Sequence, residues 1–229
     1  MTKILVALTG ATVEEVSVQL NTLATEDNIF AIEFRGDLFQ EWSAFSLLVP
    51  LFEAVACPLI FTLRSKREGG QFASGLAEQS VAYEKALKAK LFTYVDLEVA
   101  DPHYADLSQL VAAYDVQVIL SYHAPVKMPP YAELLRLKEK MIAQKPAIVK
   151  FALMLTEPDE LLRLKLLGFQ ERYPEQIIIG MGIGGWLSRV VPEMFASDFT
   201  FAAGTVEAAS GQLNIETVEF LRNKTRISD

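Results

Sequence analysis

Eight short apolar segments recur along the sequence and constrain its fold more than any other feature. Each is five to eight residues long, and most are rich in β-branched or aromatic side chains. Such segments are typical of strands covered on both faces of a parallel sheet. Their starts lie about 20 to 35 residues apart, which leaves room for one helix after each strand. The predicted strands are Ile4–Leu8, Ile29–Phe34, Leu59–Leu63, Phe92–Val99, Val116–Tyr122, Ala147–Met154, Ile177–Met181 and Phe199–Ala203.

Eight strand–helix units in 229 residues predict an α/β protein, a single-domain (β/α)8 TIM barrel over residues 1–229. The alternative is a doubly wound open sheet. A dinucleotide-binding version of that sheet would carry a glycine fingerprint directly after the first strand. The segment Leu8–Thr12 lacks this fingerprint. Instead, a glycine-rich segment, Gly180–Gly185, follows the seventh strand, which is a common anion-binding position in barrels.

Capping patterns predict where two of the helices begin and where one ends. Thr12 and Glu15 have the spacing of a capping box. Thr156 is the expected N-cap of a later helix that has Pro158 in its first turn. Gly168 is expected to end that helix as a left-handed residue.

Charge and cysteine content narrow the class of protein. The formal net charge of −8 disfavours a nucleic-acid partner, because an acidic surface repels phosphate. The only cysteine, Cys57, excludes an internal disulfide and fits a reducing compartment. The sequence has neither a signal-peptide pattern nor an apolar stretch of about 18 residues, so we expect a cytoplasmic protein without a membrane partner.

Lys150 is the most informative residue, because a charge inside an apolar strand is costly unless it is paired or used. It lies midway along the sixth predicted strand, between Val149 and Phe151. Desolvation disfavours an ammonium ion, and a neutral amine attacks carbonyl carbons to form a Schiff base. The structural alternatives are a salt bridge to a strand carboxylate, or a side chain that extends out of the barrel.

The two histidines have different predicted roles. His123 ends the fifth predicted strand, where a barrel places residues for proton transfer near neutral pH. A hydrogen-bonded structural histidine is the alternative reading. His103 follows Pro102 at a helix start, and we expect it to be a surface or capping residue.

Charged residues also lie at the ends of the second, third and fourth strands and after the glycine-rich segment. Those spaced by two residues share one side of their strand. They either line a site or form an ion-pair layer inside the barrel. Arg189 is suited to a carboxylate or phosphate ligand, unless it is exposed at a helix start. The strand-end pairs are Glu33 with Arg35, Arg64 with Glu68, and Asp96 with Glu98.

Seven ordered segments together resemble type I 3-dehydroquinate dehydratase, the Schiff-base enzyme of the shikimate pathway. The resemblance spans essentially the whole chain. The segments are Glu33–Asp37, Phe61–Gly70, Val95–Glu98, Ser121–His123, Ile148–Ala152, Met181–Arg189 and Gly211–Gln212.

The resemblance implies a role for each matching residue. Lys150 matches the Schiff-base lysine, His123 the general acid and base, and Glu68 the carboxylate that orients the histidine. The reaction implied is syn elimination of water from 3-dehydroquinate, a small molecule, to give 3-dehydroshikimate. The resemblance implies neither a metal nor an organic cofactor. It also implies a homodimer. The matching substrate-binding residues are Glu33, Arg35, Arg64, Met181, Arg189 and Gln212.

The chain departs from the family pattern at three places. Ala124 and Pro125 follow His123 where the family has Asp-Phe, which removes an aromatic residue from the pocket. The loop before Gln212 places Ala208 at a substrate-contacting serine in the ungapped register that we prefer, whereas a two-residue deletion would give Ser210 that role. The chain also begins almost directly at its first predicted strand, so we expect it to lack the N-terminal hairpin of many members. These changes affect affinity or substrate preference more than reaction type.

Three other functions are compatible with the pattern. A class I aldolase-type barrel also uses a Schiff-base lysine. A metal-dependent barrel would use Glu33, Asp96, Glu98 and His123 as ligands, although two histidines make a nitrogen-rich site improbable. A catalytically impaired paralogue would bind the ligand without turnover.

Overall fold

The computed structural model describes residues 2–24, 26, 28–73, 75–204 and 211–225, in which eight parallel strands alternate with helices. All eight predicted strands are present, with ends displaced by at most two residues, as at Tyr94 instead of Phe92. The strands are β1 Lys3–Leu8, β2 Ile29–Arg35, β3 Leu59–Thr62, β4 Tyr94–Glu98, β5 Gln117–Ala124, β6 Ile148–Met154, β7 Gln176–Met181 and β8 Phe199–Ala202.

Helices on the outside of the strands complete the (β/α)8 architecture. Within the described residues, none of them is long and apolar enough to span a bilayer. They are α1 Val13–Leu23, α2 Val49–Glu53, α3 Leu76–Lys88, α4 Tyr104–Val111, α5 Tyr131–Ala143, α6 Glu160–Phe169, α7 Trp186–Val190 and α8 Ile215–Thr225. Short 3₁₀ helices span Trp42–Leu47, Lys66–Glu68, Ile183–Gly185 and Pro192–Phe195.

The strands form one sheet in the order β7-β6-β5-β4-β3-β2-β1-β8. The two ends of this sheet meet just before β8. Here Asp198 N donates to Gln176 O at 2.8 Å, and Ile178 N donates to Ser197 Oγ at 2.9 Å. The barrel is therefore nearly closed, and the carboxyl ends of its strands converge on one mouth.

Apolar side chains pack in two clusters, as the alternation of strand residues requires. The larger cluster lies between the strands and the helices; it includes Phe34 and Leu120 on strands and Leu134 on α5. The smaller cluster lies inside the barrel, and we call it the apolar layer. Its strand residues are Leu5, Ala31, Ile60, Tyr94, Ile119, Ile148, Ile177, Ile179, Phe199 and Phe201.

The predicted cap of α1 is confirmed, but the predicted cap of α6 is wrong. Thr12 Oγ1 accepts a hydrogen bond from Glu15 N at 3.2 Å. Helix α6 begins at Glu160 instead of directly after Thr156. The carboxylate of Glu160 accepts the backbone N–H groups of Thr156 at 2.6 Å and Glu157 at 3.0 Å, so an acid inside the helix replaces the threonine as the capping group.

The prediction that Gly168 ends α6 is also wrong. Gly168 lies inside the helix and has no positive φ. A Cβ atom at this position would collide with the carbonyl oxygen of Phe195, which ends the 3₁₀ helix Pro192–Phe195. The glycine is therefore required by close packing of two segments and not by a left-handed turn.

Candidate active site

Above the apolar layer, five neighbouring strands each direct a polar side chain into the barrel. Each follows an apolar-layer residue by two positions and so points the same way. We call these residues the polar layer. All of them are buried, with at most 5% of their surface exposed. They are Glu33 on β2, Thr62 on β3, Asp96 on β4, Ser121 on β5 and Lys150 on β6.

Lys150 lies at the centre of this layer. Its Nζ atom is 2.9 Å from Asp96 Oδ2 and 3.4 Å from Glu33 Oε1, and it lies 4.7 Å from the centroid of the Phe201 ring. The side chain does not extend out of the barrel. The salt bridge to a strand carboxylate that the sequence suggested is present. Lys150 also lines a cavity, so its ion pairs do not prevent contact with a ligand.

Arg64 connects the polar layer to the loop after β3. Its guanidinium lies 2.8 Å from Asp96 Oδ1 and 3.0 Å from Glu98 Oε1, and it donates to Ser121 Oγ at 3.1 Å. Burial opposes its charge, but the surrounding carboxylates hold the pKa of Arg64 well above its usual range. Burial likewise opposes ionisation of Asp96, yet Arg64 and Lys150 hold the pKa of that carboxyl well below its usual range. Both groups therefore carry charge in the barrel interior.

His123 and Glu68 form a hydrogen-bonded pair at the mouth. Glu68 Oε2 lies 2.9 Å from His123 Nδ1 and accepts the backbone N–H of His123 at 2.9 Å. Arg64 lies 3.3 Å from the same oxygen. Since Oε2 acts as an acceptor for these donors, we assign the imidazole proton to Nδ1. This tautomer leaves Nε2 with a lone pair that can accept a proton.

The protonation of this pair follows from its burial. Burial lowers the pKa of His123 well below its usual range, and the positive charges of Arg64 and Lys150 add to the effect. Burial also raises the pKa of Glu68 to about 8, although Arg64 opposes the rise. At neutral pH the imidazole is therefore neutral and is ready to act as a base.

A cavity of about 270 Å³ opens above Lys150 and brings the sequence-predicted residues together. Arg35 lies at its edge, held by Asp37 through two contacts of 2.7 and 2.8 Å. Pro125 also lines the cavity, so the departure from the family pattern at this position lies within reach of a ligand. The predicted site residues that line the cavity are Glu33, Arg35, Arg64, Glu68, His123, Lys150, Met181, Arg189 and Gln212.

Residues from the β7 and β8 side form the rest of the wall. Arg189 lies in α7 and is 1% exposed, so the exposed helix-start alternative is wrong; one of its guanidinium nitrogens donates to Phe201 O at 3.4 Å. Met181 ends β7, and Gln212 lies after the glycine residue Gly211, which has φ of 80°. The predictions for Ala208 and Ser210 lie outside the described residues.

The residues considered as metal ligands are engaged in other contacts. Asp96 and Glu98 contact Arg64, Glu33 contacts Lys150, and His123 contacts Glu68. Among the described residues, no group of three or more His, Cys, Asp or Glu side chains is arranged to hold a metal ion. His103 lies directly before α4, at a helix start as predicted.

Sequence reasoning did not select three residues that surround the Lys150 amine or its partners. Thr62 donates to Glu33 at 2.7 Å, Ser121 donates to Asp96 at 2.6 Å, and Phe201 faces Lys150. The available signal was the alternation of the strands, which places Thr62 and Ser121 on the inward side. Without the pairing of the strands, nothing in the sequence indicates which charge each hydroxyl contacts.

Comparison with known proteins identifies the family of this chain. The profile of the type I 3-dehydroquinase family matches residues 4–227. The chain belongs to this family. It is 31% identical over 189 residues to a 3-dehydroquinate dehydratase of Pyrococcus abyssi, covering 82% of this chain and 84% of that protein. It is 30% identical over 225 residues to one from Escherichia coli, covering 93% and 88%.

Solved structures show the same fold. The crystal structure of 3-dehydroquinate dehydratase from Geobacillus kaustophilus superimposes with a TM-score of 0.88 at 24% identity, covering 98% of this chain and 91% of that one. A type I enzyme from Clostridium difficile, solved with covalently modified comenic acid, gives 0.87 at 24% identity, with coverage of 97% and 92%. The (β/α)8 architecture predicted from sequence is therefore confirmed.

Proposed function

We propose that this protein dehydrates 3-dehydroquinate to 3-dehydroshikimate through an imine on Lys150, within the shikimate pathway to the aromatic amino acids. The observation that carries the proposal is a lysine buried at the base of a cavity that a neutral histidine also lines. Family membership identifies the reaction, a hydro-lyase step. The distances and burial in the cavity support the following roles for its residues.

The first steps join substrate and enzyme. The Lys150 amine attacks the C3 carbonyl carbon. The resulting carbinolamine takes up one proton from solvent and loses one water molecule, which leaves a protonated imine. This cation withdraws electrons from C2, so the C2–H bond becomes acidic. His123 Nε2 then takes the C2 proton, and the electron pair of that bond forms the enamine.

The remaining steps expel water and release the product. The enamine electrons return towards C1, the C1–O bond breaks, and the His123 imidazolium gives its proton to the departing hydroxyl. One histidine serves both positions, so the proton and the hydroxyl leave from the same face, which is syn elimination. A second water molecule hydrolyses the protonated imine, which frees 3-dehydroshikimate, restores the amine and returns one proton to solvent.

Other cavity residues are proposed to bind the substrate. Arg189 is the cation for the substrate carboxylate, since it is buried and points into an otherwise apolar wall. Arg35 and Glu33 bind ring hydroxyl groups, and Arg64 orders these side chains through its own contacts. Met181 provides an apolar wall, and Gln212 closes the cavity from the segment after β8. For the position that contacts the substrate in the preceding loop, we retain Ala208 in preference to Ser210.

We further propose that the protein acts as a cytoplasmic homodimer. Helix α6 exposes Leu162, Leu166 and Phe169 at helical spacing, which supports an apolar contact surface. Phe45, Leu48 and Phe52, by contrast, are buried in the core. Analytical ultracentrifugation should give the mass of two chains for the wild type, and the mass of one chain would contradict the proposal.

Trapping with borohydride tests the imine directly. The protein is mixed with 3-dehydroquinate and sodium borohydride, and its intact mass and peptide map are recorded. We expect an adduct on Lys150, and without borohydride the mixture should develop the ultraviolet absorbance of a conjugated enone. The matched control is Lys138→Met, which changes a second buried lysine among the described residues. Lys138 donates to the carbonyl oxygens of Leu167 in α6 and of Gln170 just after it, and the variant should keep the adduct.

Each other result has a definite meaning. An adduct without enone would identify a catalytically impaired paralogue. No adduct on Lys150 in wild-type protein, with enone still formed, would contradict the imine mechanism. Neither adduct nor enone would contradict the whole proposal.

A further inference from the structure

Asp96 is a buried carboxylate that contacts Lys150 Nζ from the side away from the cavity. Its Oδ2 atom lies 2.9 Å from Lys150 Nζ, yet its side chain is only 1% exposed and does not line the cavity. It therefore touches the nucleophile without occupying space that a substrate would need.

The orientation of Asp96 is fixed on its other side. Oδ1 accepts a hydrogen bond from Ser121 Oγ at 2.6 Å and lies 2.8 Å from the guanidinium of Arg64. These contacts leave Oδ2 directed at Lys150. A carboxylate held in this way keeps its charge beside one atom throughout a reaction, because it has no freedom to turn towards other partners.

Glu33, the other carboxylate near Lys150, is placed differently. Its Oε1 atom lies farther from Nζ, at 3.4 Å, and accepts a hydrogen bond from Thr62 at 2.7 Å. It also lines the cavity, so it is available to the substrate. Glu33 therefore lies on the cavity side of the Lys150 nitrogen, and Asp96 lies on the side away from the cavity.

Imine formation reduces the number of hydrogen bonds that the Lys150 nitrogen can donate. The ammonium ion has three N–H groups, and its surroundings offer Asp96, Glu33 and the face of Phe201. The protonated imine keeps the positive charge but only one N–H group. Of the two carboxylates that the described part of the chain places beside Lys150, Asp96 is nearer, with Oδ2 at 2.9 Å against 3.4 Å for Glu33 Oε1.

We propose that Asp96 is the counterion of the Lys150 imine: its Oδ2 accepts the remaining N–H, and its charge keeps the imine protonated while C2 loses its proton. This inference rests on the proposed function. It matters because the protonated imine withdraws electrons far better than the neutral one. Asp96 is then a catalytic residue that never contacts the bound substrate's ring.

Reductive trapping as a function of pH tests the proposal. Cyanoborohydride reduces the protonated imine selectively, so the yield of Lys150 adduct from 3-dehydroquinate falls at alkaline pH as the imine loses its proton. Asp96→Asn keeps the shape of the side chain and removes its charge. We expect the midpoint of this fall to move about one pH unit or more towards acid, a change of at least about tenfold in proton affinity. At the acidic end, the two proteins should give equal adduct.

The matched control is Asp101→Asn in the loop after β4. Asp101 is also a buried carboxylate, which accepts from Gln79 at 2.9 Å and contacts Arg67 at 3.2 Å, but it lies outside the cavity lining. Its midpoint should equal that of the wild type. The charged or titratable side chains around Asp96 stay unchanged in these comparisons: Glu33, Arg64, Glu68, Tyr83, Glu98, His123 and Lys150.

A second variant keeps the test decisive if Asp96→Asn does not fold. Ser121→Ala removes the hydrogen bond that fixes Oδ1, and it should move the midpoint in the same direction by a few tenths of a pH unit. Unshifted midpoints, with normal trapping by the wild type, would overturn the role of Asp96 and leave the proposed function intact. Absence of adduct in the wild type would overturn the proposed function and this inference together.

Discussion

On strands β2 to β6, the apolar layer and the polar layer of the barrel interior lie two residues apart. Ile148 and Lys150 point inward from β6, as Ile119 and Ser121 do from β5. Position in the fold therefore does not decide which layer carries charge. What differs is the set of partners, because each charge in the polar layer has at least one opposite charge within 3.5 Å. The comparison shows that a barrel tolerates buried charge where several strands supply partners together.

The polar layer is also uneven around the barrel. Strands β2 to β6 contribute its polar residues, whereas β7 and β8 contribute Ile179, Met181 and Phe201 to the cavity wall. The buried Arg189 is the cation of this apolar side. The cavity therefore has one wall suited to proton transfer and one suited to an apolar ring face and a single anionic group.

The largest expected effect comes from replacing the central residue of the polar layer. Lys150→Met removes the proposed nucleophile, so kcat for 3-dehydroquinate should fall by about four orders of magnitude or more. The measurement is the rate of enone absorbance at saturating substrate. Retention of more than about a tenth of the wild-type rate would show that Lys150 is not the nucleophile.

A smaller loss of activity is expected at the mouth. His123→Ala removes the proposed acid and base and should lower kcat by about 10²–10⁴-fold, while the borohydride adduct on Lys150 still forms. The matched control is His103→Ala. His103 lies directly before α4 and does not line the cavity, so this variant should keep kcat within about twofold. Equal losses in the two variants would contradict the assignment.

Ile148, an apolar-layer residue that does not line the cavity, should affect stability and not chemistry. Ile148→Ala leaves a cavity two residues below Lys150, so the free energy of unfolding should fall by about 2–5 kcal/mol. Urea titration measures this loss, and kcat of the folded enzyme should change by less than about threefold, because the contacts of Lys150 are kept. A loss of kcat as large as that of His123→Ala would mean that the two layers are not separable.

The smallest effect is a pH dependence of stability from Glu68. Its pKa of about 8 in the folded protein lies above that of the unfolded chain, so its contribution to stability is present at low pH and is lost as pH rises to 8. His123, whose pKa is lowered, opposes this only below about pH 6.5. Between about pH 6.5 and 8, the wild type should therefore lose up to about 2 kcal/mol relative to Glu68→Gln.

Urea titrations of both proteins at the two ends of that range measure the difference. Burial lowers the pKa of Lys138 to about 8, but this residue titrates alike in both proteins and cancels in the comparison. If the two proteins depend on pH identically, Glu68 does not take up a proton on folding near neutral pH.

The strands, and the sides on which their charged residues lie, can be predicted from short-range sequence patterns. Continuous apolar runs identify the strands, and alternation places Glu33 with Arg35 and Asp96 with Glu98 on shared sides. The ends of α6 cannot be predicted in this way. The Glu160 carboxylate caps the helix from inside it, and Gly168 is required by its close contact with the backbone of Phe195. Neither interaction has a local sequence pattern.

Local sequence patterns also do not show which site residues contact each other. Lys150 could be recognised as unusual in its strand, but its contact with Asp96 joins residues 54 positions apart. That contact depends on the register between neighbouring strands. Family resemblance supplied the roles of His123 and Glu68, whereas their hydrogen bond and its effect on protonation required the structure.

The contact between Glu33 and Lys150 also has a consequence for how the chain folds. These residues are 117 positions apart, and they meet only after strands β2 to β6 have assembled. We expect neighbouring strand–helix units to form earlier, because closing a short loop loses less chain entropy. During that time their charged side chains remain hydrated. Catalytic competence is therefore expected to be among the last properties acquired during refolding, after most of the secondary structure is already in place.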